Sequence, residues 1–278
     1  MATRSRNTSN RAPLVAPLDI RLMNAVATLV FALAALVLVA VAVAWATRAP
    51  LFTLRAIALD GELARSNLAT LRASALPRLT GNFFSVDLDR GRAAFESVPW
   101  VRQAVVRRVW PNRLAVTLEE HRAAALWQGL SEKDSGNERL VNTHGEVFEA
   151  NVGDVEDEDL ITLAGPEGSS AQMLALQRRL AAALAPLSAR IDVVKLSSRG
   201  SWHVELESGA DLELGRGSED ELVARTARFV RTFAQATQRF ADAGGSPRTL
   251  LAADLRHPDG YALRLRGVST ASAVAAPR

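Results

Sequence analysis

Residues able to do chemistry are scarce in this chain, and their spacing argues against most of what they could do. Four histidines, His121, His144, His203 and His257, form no H-E-x-x-H pair and no pair at ligand spacing, so each reads as a surface or hairpin residue and no metal site is expected. Gly215-Arg216-Gly217 lacks the third glycine and the lysine that would cradle phosphates, and reads as a turn ahead of a helix. Ser197, Ser198 and Ser201 lie in no G-x-S-x-G elbow and read as turn residues. There is no cysteine, which excludes disulfides, thiolate metal centres and a thiol nucleophile together. The acids from Asp154 to Asp159, broken only by Val155, have no EF-hand spacing, so a solvated loop is the first reading and a divalent-cation site the second. No enzyme and no cofactor are expected.

Binding is a better use of what remains. Arg107, Arg108 and Arg113 can be solvent-facing strand residues, or can meet acidic lipid headgroups or a partner near a membrane. Trp100, Trp110 and Trp127 suit core or hairpin packing, with one of them as an exposed partner anchor in the alternative. Across the 278 residues, 33 Lys+Arg against 30 Asp+Glu leave a formal charge of +3, too balanced for a dedicated nucleic-acid binder. A hydrophobic content of 48% suits one or two folded domains.

Placement of those domains follows from the N-terminal segment. No charged residue lies between Arg21 and Arg48, so residues 22–47 read as a single transmembrane helix, with Trp45 at headgroup depth. Ala44-Trp45-Ala46 has the small-x-small spacing of a signal-peptidase site, but the apolar stretch is longer than a signal's, and an uncleaved anchor is expected. Arginines flank both ends, and long domains translocate whatever such counts say. An N-terminus inside and a C-terminal bulk outside is the expectation, with residues 1–21 as a cytoplasmic tail.

Beyond the helix, the pattern predicts an α+β architecture. Thr53 to Leu59 reads as a strand closed by Asp60-Gly61; Leu68, Leu71 and Leu76 recur at helical spacing up to Pro77. A second helix opens at Asp87 and stops before Pro99. Trp100 to Val109 then turns at Trp110-Pro111-Asn112 into a hairpin arm with Leu114, Val116 and Leu118. The order is β-α-α-β-β. Further on, Leu140 to Phe148 reads as a hairpin, and Ser169 or Ser170 caps a helix through Leu184. Three strands follow, Ile191 to Leu196, Trp202 to Leu206 and Asp211 to Leu214. Ser218 with Glu221 forms a capping box for a helix carrying Leu222, Phe229, Val230, Phe233 and Phe240 to Gly244-Gly245. Thr249 to Arg256 and Tyr261 to Arg266 are the last strands, ahead of a disordered tail at 269–278.

Within that order, Gly61, the run Gly81 to Asp87, Val98-Pro99-Trp100-Val101 and the run Val105 to Leu114 resemble the POTRA domain of the FtsQ family of bitopic division proteins, called DivIB in Gram-positive bacteria. Glu119 to Trp127 is also similar, with Ala123 where the family commonly has proline. The resemblance implies a POTRA domain at 52–122 and a C-terminal mixed β-sheet domain with helices at 123–268. It also implies an inner-membrane scaffold, acting at the division septum, that links early and late division proteins. FtsB and FtsL are expected at the last sheet edge and FtsK with other division proteins at the POTRA domain; no nucleic acid or small-molecule substrate is expected. Asp254, Leu255 and Arg256 match the family's binding segment, so Arg256 is carried over as the charged contact, with His257, Tyr261 and Leu263 beside it; the family's aromatic after that arginine is replaced by His257, and the aromatic comes at Tyr261. Two other readings stand beside it, another POTRA-bearing envelope assembly protein and a membrane-anchored periplasmic hydrolase.

Overall fold

A computed structural model of the chain describes residues 18–47, 50–61, 63–130, 139–238, 240, 248–257 and 259–268. Residues 1–17 of the expected N-terminal tail, the expected C-terminal tail from 269, most of the polar stretch after Leu130 and Gly244-Gly245 lie outside the described residues, whereas Leu18 to Arg21 of the expected N-terminal tail belong to the first helix.

Helix α1 (Leu18–Thr47) has 30 residues, starting four before the predicted span, with Asp19 in its first turn, where a carboxylate complements the helix dipole. At 1.5 Å per residue it is about 45 Å long, more than the ~30 Å hydrocarbon layer requires. Residues 19–46 are exposed throughout, so no protein surface covers this apolar helix. Apolar all round and uncovered, it is suited to lipid.

The next unit has the expected order: β1 (Ala56–Asp60), α2 (Leu68–Ala75), α3 (Leu88–Glu96), β2 (Val101–Val109) and β3 (Arg113–Glu120). The sheet order is β1-β3-β2, with β1 parallel to β3 and β2 antiparallel to it. The Asp87 carboxylate caps α3 by accepting from the N–H groups of Asp89 and Arg90. Leu71, Ala94, Phe95, Val116 and Leu118 close the core between helices and sheet. The first strand is shorter than predicted, because residues 50–52 make a 3₁₀ turn and Thr53 bridges Asn82 instead of β3.

After a break at His121-Arg122, the chain builds a nine-stranded mixed sheet. Its strands are β4 (Ala123–Gly129), β5 (Arg139–Asn142), β6 (Val147–Phe148), β7 (Ile161–Gly165), β8 (Ile191–Leu196), β9 (Trp202–Leu206), β10 (Asp211–Gly215), β11 (Leu250–Asp254) and β12 (Ala262–Leu265). They run in the order β12-β11-β10-β9-β8-β7-β4-β5-β6. Helices α4 (Ser170–Leu184) and α5 (Glu219–Gln238) bury Leu176, Leu180, Leu222 and Phe229 against one face. The Ser218–Glu221 capping box forms in both directions, Ser218 N–H to the Glu221 carboxylate and Glu221 N–H to Ser218 Oγ. Ser169 makes no such cap: its hydroxyl donates to the Pro166 carbonyl, while Ser170 donates to the Gly145 carbonyl at 2.6 Å and ties the β5–β6 hairpin to α4. Phe240 lies past the end of α5 and is exposed, where the pattern had placed it on the apolar face.

Two acids of the run, Asp154 and Glu158, engage the first unit, while Asp159 pairs with Arg190 in the second. The Trp100 indole donates from Nε1 to Asp154 Oδ2 at 2.9 Å and sits edge-on to Phe148, with ring centroids 5.4 Å apart. The Arg65 guanidinium lies 4.8 Å over the Trp100 ring and reaches the Asp154 carbonyl and the Glu158 carboxylate. Alongside, Arg102 forks onto Glu146 at 2.8 and 3.0 Å and donates to Glu119 at 2.8 Å. Fully buried Asn142 donates to Glu146 and pairs with Nδ1 of His121, whose ring stacks on Phe148 at 4.0 Å. These contacts lock the two sheets together. Trp100→Ala is expected to cost about 3–5 kcal/mol, the range for truncating a buried aromatic, measured by denaturant unfolding of the region from Leu51 onward.

Acid weakens the same seam. Burial lowers the His121 pKa, and hydrogen bonds from Arg102 and Asn142 hold Glu146 at about 2. Both groups bind protons less readily folded than unfolded, so each contribution is complete above the unfolded pKa and lost as pH falls. The His121 contribution goes below about pH 6.5, and the Glu146 contribution between about pH 4.5 and 2. The thermal midpoint should therefore drop from pH 7.5 to 5.5, and drop less in His121→Phe, which keeps a ring on Phe148 but cannot titrate.

Candidate partner-binding edge

Among the described residues, no group of three or more His, Asp or Glu could hold a metal ion. His144 and His257 are exposed, and His203 lies on the open sheet face between Asp211, at 3.1 Å, and Glu213, at 3.3 Å. What the fold does present is an edge. Strand β12 pairs on one side with β11, matching Ala253 to Leu263 and Asp254 to Ala262, and no described strand pairs its other side. A strand edge leaves N–H and C=O groups able to accept a further strand. At the opposite end of the sheet, β6 has only two residues and offers little ladder.

Four residues were predicted at the edge, and the structure divides them. Arg256 follows β11 and is exposed; its Nε and Nη2 donate to the two oxygens of Asp254 at 2.9 and 2.6 Å, and Asp254 also accepts from the Arg256 N–H at 3.1 Å. These hydrogen bonds hold the Asp254 carboxyl at about 2, well below its ordinary value. His257 is exposed, and its carbonyl accepts from Arg228 on α5 at 3.3 Å. Both are available at the surface.

Tyr261 and Leu263 have their side chains turned inward. The Tyr261 hydroxyl is 2.7 Å from Thr232 Oγ1 on α5, and its ring stands edge-on to Phe229 at 5.3 Å. Leu263 packs, partly buried, against the same core. Strand alternation explains this: Leu263 and Leu265 take the inward positions, so Ala262 and Arg264 take the outward ones. Arg264 was not among the predicted residues, although the period of two in Ala-Leu-Arg-Leu is the signal that marks it.

Gly215 was also missed. It ends β10 at φ +73°, a backbone region that favours glycine, and a Cβ there would come within 2.7 Å of Arg256 Cγ. The Gly-Arg-Gly turn is thus the seat over which the Arg256 stem lies.

The described chain thus consists of a single apolar helix long enough to cross a membrane, a three-stranded POTRA-type unit and a mixed sheet ending in an open edge. The chain matches the family model of the FtsQ-type POTRA domain over residues 52–121 and that of the C-terminal part of cell division protein FtsQ/DivIB over residues 125–256. It is 43% identical over 251 residues to the Cell division protein FtsQ of Burkholderia pseudomallei, covering 90% of this chain and 94% of that one. Against the proteins of the same name from Thiomonas arsenitoxydans and Bordetella pertussis it is 37% and 36% identical, covering 94% and 89% of this chain and 92% of each relative. The chain belongs to the FtsQ/DivIB family of cell division proteins. The C-terminal match stops at Arg256, so β12 lies outside it.

Packing and contact roles separate at Tyr261. Tyr261→Phe should cost about 1 kcal/mol through the lost hydroxyl contact, and Tyr261→Ala about 3 kcal/mol with faster amide exchange in β12. Equal effects of the two changes on unfolding would show that the ring does not seat the strand.

Proposed function

We propose that the chain is a divisome scaffold of the inner membrane, without catalytic activity, that captures an FtsB/FtsL-type complex by strand addition at β12. On this reading the N-terminus is cytoplasmic, the bulk is periplasmic and the protein acts at the septum, joining early to late division proteins. Residues 52–122, the POTRA domain, supply a second docking surface for FtsK and other division proteins, and residues 123–268 carry the edge.

The open β12 edge with Arg256 beside it is the observation that carries this reading. A strand added there gains backbone hydrogen bonds along its length, while outward side chains fall next to Ala262 and Arg264. Arg256 gives Asp254 two of the five N–H donors of a guanidinium, so donors remain for an acidic side chain of the incoming strand. His257 adds an exposed group at the start of the turn into β12.

Two changes probe the two halves of the contact. Arg256→Glu should weaken capture of an FtsB-type peptide at least tenfold by putting a like charge opposite its acid. A peptide N-methylated at alternate positions should lose binding comparably, since it cannot complete the ladder. Both are read by titrating labelled peptide with the region from Leu51 onward. Unchanged affinity in both experiments would rule the edge out.

A further inference from the structure

The end of the POTRA domain nearest the membrane carries a second surface that scaffolding by β12 does not use. Its position follows from register. Strand β1 starts just after the membrane helix and runs parallel to β3, with Ala56 opposite Arg113, so the Trp110-Pro111-Asn112 turn that precedes β3 lies at the same end as the start of β1. The Arg55 N–H donates to the Asn112 carbonyl at 3.0 Å, and Asn112 Nδ2 reaches the Leu51 carbonyl at 3.4 Å. From Thr47 the chain has four residue steps to Leu51, at most about 14 Å of extended backbone. Asn82 shortens the link further by donating from Nδ2 to the Thr47 carbonyl at 2.7 Å.

At this end, large apolar groups face outward. Trp110 is 75% exposed, Leu51 68% and Phe84 50%. Phe84 is braced for that position: its ring stands edge-on to Phe52 at 4.9 Å and to Phe83 at 5.3 Å, and Asn82 Oδ1 accepts from its N–H. Arg108 fixes the turn beneath by donating to the carbonyls of Phe83 and Val86 at 2.7 and 2.8 Å.

Charge is graded along the same sheet. On its solvent face, Arg113 and Arg107 lie towards the membrane end and Asp60 and Glu119 towards the other, with exposed Arg55 just before β1. None of Arg55, Arg107 and Arg113 has a carboxylate partner among the described residues, in contrast to Arg102 at the seam. Aromatic side chains favour the headgroup layer, and basic groups within a Debye length are drawn to anionic lipid.

We propose that this tip is seated in the headgroup layer of the bilayer that α1 spans, with Trp110 and Phe84 at the acyl boundary and Arg55, Arg107 and Arg113 on anionic phosphates. The seat fixes the tilt of the domain on the membrane, which a tether alone would leave free. It rests on α1 spanning the bilayer, though not on which side the bulk lies.

Because the chain has no cysteine, single introduced cysteines carry a spin label without competition. Full chains bearing the label at Asn112, Asp60 or Val37 are placed one per nanodisc, in phosphatidylethanolamine with phosphatidylglycerol. Depth is read from the ratio of oxygen to nickel-chelate accessibility. The expected result is hydrocarbon depth at Val37, interfacial depth at Asn112 and water at Asp60. Trp110→Ser with Phe84→Ser should move the Asn112 label to water while leaving Val37 buried. Arg55→Glu, Arg107→Glu and Arg113→Glu together should do so in the anionic discs, and phosphatidylcholine discs should show the tip less deep for the unchanged chain. A buried Val37 with a water-exposed Asn112 overturns the proposal alone; a water-exposed Val37 overturns it together with the membrane-spanning reading. Shielding of Asn112 that requires two copies per disc assigns the surface to a second copy and overturns it as well.

Discussion

Trp100 leaves the first domain's helix α3 and, before its strand β2 begins, commits its indole to the second domain. Its N–H is spent on Asp154, its edge on Phe148 and its face on the Arg65 guanidinium. A buried indole donor needs a partner, and the half-buried Arg65 guanidinium covers the ring while it meets its counter-charge, so removing Asp154 or Arg65 leaves Trp100 with a desolvation cost. That mutual dependence makes the junction behave as core, although only two residues, His121 and Arg122, link β3 to β4 along the chain. The Arg102–Glu146 fork and the Asn142–His121 pair extend it on the other flank. Surface ion pairs of this kind contribute little singly; their effect here comes from sharing partners with Asn142, which has no exposure at all.

A rigid junction has a geometric consequence. The sheet edge at β12 and the membrane end of β1 belong to different domains, separated by the whole run of the nine-stranded sheet. Were the seam loose, thermal reorientation would spread the edge over many distances from the bilayer, and a membrane-bound partner would meet it at low effective concentration. With the seam closed, the position of the edge relative to the start of β1 is a property of the fold. The same logic explains why the edge itself is held from behind: Tyr261 and Leu263 fasten β12 to α5, so the strand is ordered before anything binds and ordering it adds little to the cost of association.

Much of this was legible from residue patterns, and the exceptions have physical causes. Strands with clean alternation, such as Ile191 to Leu196 and Trp202 to Leu206, were found with the bounds observed, and so was the Ser218–Glu221 cap. Strands β4 and β7 were not assigned. Ala123-Ala124-Ala125 has weak strand propensity, and Ile161 to Gly165 is a short parallel strand between two neighbours, with no alternation to read. At the β12 edge, the resemblance pointed to Tyr261 and Leu263 as contacts, whereas alternation alone would have turned them inward and Arg264 outward. The acidic run looked like solvated loop because its partners, Trp100, Arg65 and Arg190, are 31 to 93 positions away. Contacts at such separations leave no local periodicity. Gly215 was visible only as a turn glycine, since its use depends on where Arg256 passes.

The Asp254–Arg256 pair has a further bearing on specificity. A guanidinium with no partner would be mobile and fully hydrated, and a partner acid would have to order it on arrival. Held by both oxygens of Asp254 and lying over Gly215, Arg256 keeps one direction in the free protein. The cost is that Asp254 cancels much of its charge, so long-range attraction for acids in general is weak. An incoming carboxylate therefore gains most from Arg256 at hydrogen-bonding range and in the direction its remaining donors point, which only a strand in the right register on β12 can supply. A one-residue slip would turn that acid to the other face of the sheet, where Leu263 packs on the core and Leu265 is buried. On the proposed reading of β12 as a docking edge, pre-pairing converts Arg256 from a general attractor of acids into a reader of strand register.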